Sequence, residues 1–192
     1  MIASKSYTYI SPEEYLESEK ISPIKHEYRQ GEVYAMSGVS KAHDKIAGNL
    51  FGLLLNQIRS TGCSVYTPDM KVRVEAADVF YYPDMKVTCD ARDDRNPDEH
   101  FIRYPRLIVE VLSPTTQGFD RGEKFANYRL IETLQEYVLI SQERMTVECF
   151  RLNAEGRWVP YTYRPGEEVH LASVDFRCPI ADIYEKVPGL NS

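Results

Sequence analysis

A chain of 192 residues, 43% apolar and 27% charged, can bury a substantial core but is too short for two full-sized domains. Ten glycines, eleven prolines and an aromatic content of 11%, with 14 tyrosines, exclude collagen-like and disordered classes. A net charge of −6 argues against a nonspecific nucleic-acid coat protein, although a local basic groove stays open because binding follows the local field.

No apolar run approaches the roughly 18–20 residues that span a bilayer, and residues 1–15 hold no apolar signal core. The expected setting is cytoplasmic, without a membrane. Cys63, Cys89, Cys149 and Cys178 are far apart and form no CxxC pair. That spacing argues against zinc and predicts reduced, mostly buried thiols.

Ser11-Pro12-Glu13-Glu14 is a helix start, with a capping serine, proline at the first helical position and a capping-box glutamate. The helix should run to about residue 18, and a short strand should cover 31–36. Ser40 can cap a second helix over 41–59, in which Ile46, Leu50, Leu53, Leu54 and Ile58 make one apolar stripe. His43 lies on or beside that stripe.

The pattern then turns to β. Strands are expected at 65–66, 70–74 and, as one piece, 79–89. A Pro-Asp-Met-Lys-Val pentapeptide occurs at 68–72 and again at 83–87, which suggests two neighbouring strands with similar edges. Residues 90–100 read as a solvated polar loop, since their acidic cluster lacks the spacing of a calcium-binding loop. Residues 107–112 are apolar enough for a buried strand, yet Glu110 sits in the middle; a buried carboxylate is costly unless paired or bound to a cation. A helix follows over 118–134, then strands at 136–140, 145–152, 158–163 and 170–176, and a helical turn at 180–184. No linker interrupts the series, so one domain is expected over 1–192, of the α/β or α+β class with a mixed central sheet.

Two acids stand out. If their strands are neighbours, Asp84 and Glu110 can point into one cleft and, with a backbone carbonyl, offer an all-oxygen site suited to Mg²⁺ or Mn²⁺. The alternative is a structural turn aspartate and a glutamate paired with an arginine such as Arg106. Asp120, Lys124 and Tyr128 follow at i, i+4 and i+8 on one helix face. They form either a surface ion pair beside a half-buried tyrosine or a group that swings Lys124 over the two acids. Lys86 competes with Lys124, because on a strand it shares a face with Asp84. His43 and Glu32 are accessory candidates, each with an ordinary structural alternative: a helix-start histidine and a strand-edge charge.

Together these residues resemble the Uma2 family of endonucleases. The matching features are Glu27 and Gly31-Glu32-Val33-Tyr34, then His43, Tyr82-Pro83-Asp84, and Val109-Glu110-Val111-Leu112-Ser113-Pro114. Asp120, Lys124, Tyr128 and Glu136-Tyr137 complete the set. The resemblance runs from about residue 11 to 184. It implies the restriction-endonuclease-like PD-(D/E)xK fold, a divalent-metal site and phosphodiester cleavage. Asp84, Glu110 and the Val111 carbonyl would hold Mg²⁺ or Mn²⁺, and Lys124 would be the catalytic lysine. The superfamily lysine belongs two residues after the second acid, where this chain has Leu112; the family resembled here carries it on the next helix instead. The implied substrate is DNA and the implied assembly a homodimer, since one site per chain cuts one strand. The alternative is a catalytically weak or inactive nuclease fold that only binds nucleic acid or a protein partner. A carboxylate-pair glycosidase ranks lower, because the tyrosines are scattered. The surface around Asp84 is expected to be locally basic or neutral, with Arg103, Arg106, Arg121 and Lys124 as the candidates.

Overall fold

The computed structural model describes residues 9–190. Helix α1 (Pro12–Ile21) starts as its residues dictate: the Ser11 hydroxyl accepts from the Glu14 amide while the Glu14 carboxylate takes the Ser11 amide. A strand that the sequence left unread follows, β1 (His26–Arg29), paired antiparallel with β2 (Glu32–Ala35). Its pattern is too polar and too short to announce itself. The two-residue turn supplies the signal: Gln30 and Gly31 both have positive φ, at 49° and 91°, which suits the right-handed strand twist. A Cβ at Gly31 would also meet the Tyr9 ring at 2.2 Å.

Helix α2 (Lys41–Ile58) is capped by the Ser40 hydroxyl, which accepts from the His43 amide. Strands β3 (Ser64–Tyr66), β4 (Lys71–Val74), β5 (Val79–Tyr81) and β6 (Met85–Thr88) come next. The single strand expected over 79–89 is thus two, broken at Tyr82-Pro83-Asp84, where Pro83 has no N–H to give a ladder. The break carries the chain from one sheet to another. Strands β7 (Phe101–Ile102) and β8 (Pro105–Leu112) lead into a helical segment made of α3 (Gln117–Phe119), a π turn (Asp120–Lys124) and α4 (Phe125–Tyr128). This segment ends at Tyr128 rather than near 134, because the chain turns back to seat Ile131 and Leu134 in the core. Strands β9 (Glu136–Ser141), β10 (Val147–Leu152) and β11 (Trp158–Tyr163) complete the larger sheet. The strand expected at 170–176 is a hairpin of β12 (Glu168–Leu171) and β13 (Phe176–Pro179), bent by a 3₁₀ turn with Asp175 left-handed; α5 (Ile180–Ile183) follows.

The result is a mixed α+β fold. The smaller of the two main sheets runs β2-β1-β5-β4-β7 and the larger β11-β10-β9-β8-β6-β3, while β12 and β13 form a two-stranded sheet of their own. The pairs β4–β7 and β8–β9 are parallel, and the rest are antiparallel. The strands holding the two Pro-Asp-Met-Lys-Val copies, β4 and β6, belong to different sheets, so they are not the neighbours the repeat suggested.

Alternation on β8 sets what meets each face. Leu107, Val109 and Val111 pack on the α2 stripe of Ile46, Leu50, Leu54 and Ile58. Ile108 and Leu112 pack instead on Tyr128, Leu134 and the smaller sheet's Val72, Val79 and Tyr81. Glu110 shares this second face, enclosed between Ile108 and Leu112. The thiols expected to be reduced are only partly so: Cys149 and Cys178 are free and buried, but Cys63 and Cys89 form a disulfide. Cys63 precedes β3 and Cys89 follows β6, and the antiparallel β3–β6 pair sets Ser64 opposite Thr88, so the two cysteines meet through a strand pairing that spacing along the chain does not show. Closing a loop of this length stabilises by about 3–4 kcal/mol in the chain-entropy account.

Candidate active site

The crossing at Tyr82-Pro83-Asp84 opens a cleft of about 630 Å³ between the two sheets. Asp84 sits at its wall, fixed at both oxygens. Its Oδ1 lies 2.7 Å from His43 Nε2, and its Oδ2 accepts from the Val111 amide at 2.7 Å. That second bond is possible because β6 pairs with β8 only as far as Met85 opposite Val109, which leaves the next stretch of β8 edge open. In an extended strand a residue's N–H and C=O point to the same edge, so the Val111 carbonyl faces Asp84 too. His43 comes from the first turn of α2, held there by the Ser40 cap.

Glu110 is 4% exposed and its partner is not Arg106. Lys124 Nζ lies 2.9 Å from Glu110 Oε1, and the Tyr128 hydroxyl donates to the same oxygen at 3.2 Å. Lys124 also reaches Glu27 at 3.1 Å and Asp120 at 3.7 Å. The i, i+4 spacing keeps Asp120 and Lys124 on one inward face, here within a π turn, and the Tyr137 hydroxyl donates to the Asp120 carbonyl. Single π turns recur at functional sites. Burial would push the Lys124 ammonium down, but Glu110, Glu27 and Asp120 outweigh it and hold the group protonated. Burial raises both Glu110 and Asp120, against the pull of Lys124 and with further repulsion from Asp84. One lysine faces more carboxylate than it can neutralise, and this surplus is what a cation would relieve.

Of the other expected residues, Glu32 stays out of the cleft: its carboxylate takes the Tyr34 hydroxyl. Lys86 is fully buried and donates to the Thr67 carbonyl at 2.7 Å and the Pro83 carbonyl at 3.1 Å. Burial pushes it down to about 7, against the pull of Glu110 and Asp84. Lys86 therefore braces the turn that holds Asp84 and does not enter the cleft. Of the four cations expected around Asp84, Lys124 lines the cleft and the three arginines do not. Arg103 pairs with Glu75 and Glu99, Arg121 pairs with Glu148, and neither they nor Arg106 line the cleft. Arg103 and Arg121 satisfy carboxylates elsewhere on the surface, which a charge count along the chain does not reveal.

Two cleft residues were given no role by the sequence reading. Glu27 accepts from the Tyr82 amide at 3.2 Å while holding Lys124, and it went unweighted because β1 was not recognised. Arg29, two residues on, also faces the cleft. The hairpin signal at Gln30-Gly31 would have placed both. Among the described residues, no group of three or more His, Cys, Asp or Glu side chains is arranged to hold a metal ion. No helix among them is long and apolar enough to cross a membrane.

The Uma2 profile, described as "Putative restriction endonuclease", matches residues 12–181. The chain belongs to the Uma2 family. An uncharacterized protein of Synechocystis sp., slr1290, is 36% identical over 181 residues, covering 94% of each chain. A second from the same organism, sll1609, is 32% identical over 146 residues, covering 76% of this chain and 82% of its own. The crystal structure of "a putative nuclease belonging to DUF820" from Anabaena variabilis superposes with a TM-score of 0.73 at 17% identity, over 91% of this chain and 97% of that one. At that identity the likeness carries the fold: mixed sheets flanked by helices, in a nuclease-like architecture.

Proposed function

We propose that this Uma2 protein is a divalent-metal-dependent endonuclease that hydrolyses phosphodiester bonds of DNA. The observation that carries this reading is the helix-borne Lys124 ammonium, seated 2.9 Å from the Glu110 carboxylate in the cleft that Asp84 also lines. A surplus of hard carboxylate oxygens with no thiolate suits Mg²⁺ or Mn²⁺, which are commonly held by one or two carboxylates and completed by water. Asp84, Glu110 and the Val111 carbonyl would hold the ion. Each bonded Asp84 oxygen keeps a lone pair for this, and Glu110 Oε2 makes no hydrogen bond among the described residues. When bound, the ion would supply an acidified water and positive charge toward the phosphate.

The remaining roles belong to the chain. Lys124 presents a fixed ammonium to charge developing on phosphate oxygens, the kind of preorganised donor whose loss costs ~10²–10³ in rate. Glu27 and Asp120 keep it protonated and aimed. His43 and the Val111 amide orient Asp84, and Tyr128 orients Glu110. A homodimer, with one cleft per chain, would cut both strands of a duplex inside the cell. A second reading has a specific observation behind it: Lys124 already occupies Glu110 Oε1, as it would in a nuclease fold that binds without cutting.

Nicking of supercoiled plasmid in Mg²⁺ or Mn²⁺, beside calorimetric Mn²⁺ titration, separates the readings. The wild type should bind Mn²⁺ and nick, and the Asp84→Ala, Glu110→Ala double variant should do neither. Equal Mn²⁺ binding by both would remove the site; binding without nicking would favour the non-catalytic reading.

A further inference from the structure

Among the cationic side chains that line the cleft, Lys124 is engaged by three carboxylates and His43 by one. Arg29 differs: among the described residues it forms no ion pair at all. Its guanidinium carbon lies 3.5 Å from the Tyr34 ring centroid and 4.7 Å from that of Phe119, so the group is held between two aromatic rings of the cleft wall. Its Nε is buried without a hydrogen-bond partner. Glu32 lies directly across the hairpin in register, where an ion pair would be natural, yet its carboxylate is taken by the Tyr34 hydroxyl. A buried, charged donor left unmatched is costly and calls for a ligand.

Its placement says which ligand. Arg29 and Glu27 alternate on the same face of β1, so Arg29 stands one strand repeat from the carboxylate that holds Lys124. The aromatic rings fix the guanidinium plane, which lowers the ordering cost of binding, and a planar fork of N–H donors matches the geometry of a phosphate. The cleft's other cations are consumed by its own acids, leaving Arg29 as the donor open to an anion from outside. Resting on the endonuclease reading, we propose that Arg29 is a positioning residue that clamps a backbone phosphate of the DNA beside the scissile one. It sets strand register through the wall formed by Tyr34 and Phe119 and takes no part in the metal site.

Arg29→Met keeps an apolar stem between the two rings and removes the donors. Binding of a fluorescein-labelled duplex by anisotropy in Ca²⁺, over a series of salt concentrations, reads the phosphate contact directly. The expected result is at least a tenfold loss of affinity, with the slope of log affinity against log salt shallower by about one. Nicking in Mg²⁺ should lose mainly through KM, and Mn²⁺ binding and the melting temperature should stay at wild-type values. Arg29→Lys should recover part of the affinity and the salt slope. A merely structural arginine would lower the melting temperature and leave the slope unmoved, which would overturn the assignment. So would an Arg29→Met variant that binds and nicks like a nicking wild type, and that outcome leaves the endonuclease reading intact. A wild type that neither binds nor nicks is a different result: it removes the endonuclease reading and the clamp together.

Discussion

Two lysines were candidates for one role, and their surroundings separate them. Lys124 ends among Glu110, Glu27 and Asp120 in the cleft; Lys86 ends on the Thr67 and Pro83 carbonyls behind it. Replacing Lys124 with methionine removes the only ammonium on Glu110 among the described residues but leaves the carboxylate oxygens in place. Lys124→Met should therefore lower plasmid nicking by about 10²–10³ while Mn²⁺ affinity, read by calorimetry, stays level or rises. Lys86→Met should act through the fold: losing two buried hydrogen bonds costs about 1–3 kcal/mol, visible as a lower denaturation midpoint, with nicking by the folded fraction kept within about tenfold. A folded but inactive Lys86→Met beside an active Lys124→Met would reverse the assignment.

At the scale of elements, the segment from Asp120 to Lys124 is wound as a π turn. A π turn is an α-helix with one residue too many, so deleting one restores the ordinary winding. Gly122 is exposed and meets nothing, so its removal disturbs no packing. Tyr128 remains anchored to Glu110, and the deletion leaves Asp120 three rather than four residues before Lys124, which shifts Asp120 and Phe119 along and around the axis and loosens their present contacts with Lys124 and Tyr81. Circular dichroism should show unchanged helix content while nicking drops at least tenfold; full activity would mean the π turn has no part in the chemistry. The same segment shows what could be read beforehand. The i, i+4, i+8 spacing placed Asp120, Lys124 and Tyr128 on one face, and a lone Glu110 in an apolar strand announced a partner. Neither the π turn nor the early end of the helix was legible, because both depend on Tyr137 and the core seats of Ile131 and Leu134. Periodicity likewise marked α2, β8 and β11, whose faces are apolar enough to show. It missed β1, whose alternate side chains serve the cleft and so are charged. It also ran β5 into β6, since both are apolar and only the sheet change at Pro83 divides them.

Over the whole molecule, electrostatics works against the proposed partner. The chain carries −6, and the cleft is lined by Glu27, Asp84, Glu110 and Asp120 against Arg29, His43 and Lys124. A polyanion entering this field is repelled until positive charge is added where the carboxylates converge. Ca²⁺ is a divalent probe for that, since it takes the same oxygen donors. Duplex affinity measured by anisotropy should rise at least tenfold from EDTA to Ca²⁺ at constant ionic strength. The Asp84→Ala, Glu110→Ala double variant should lose that increase: with two carboxylates gone its cleft repels less, so its affinity in EDTA should equal or exceed that of the wild type. Both affinities should still fall as salt rises, because phosphate contacts release counterions. An affinity indifferent to Ca²⁺ in the wild type would mean that DNA is held on some other face, leaving the carboxylate cleft to a different ligand.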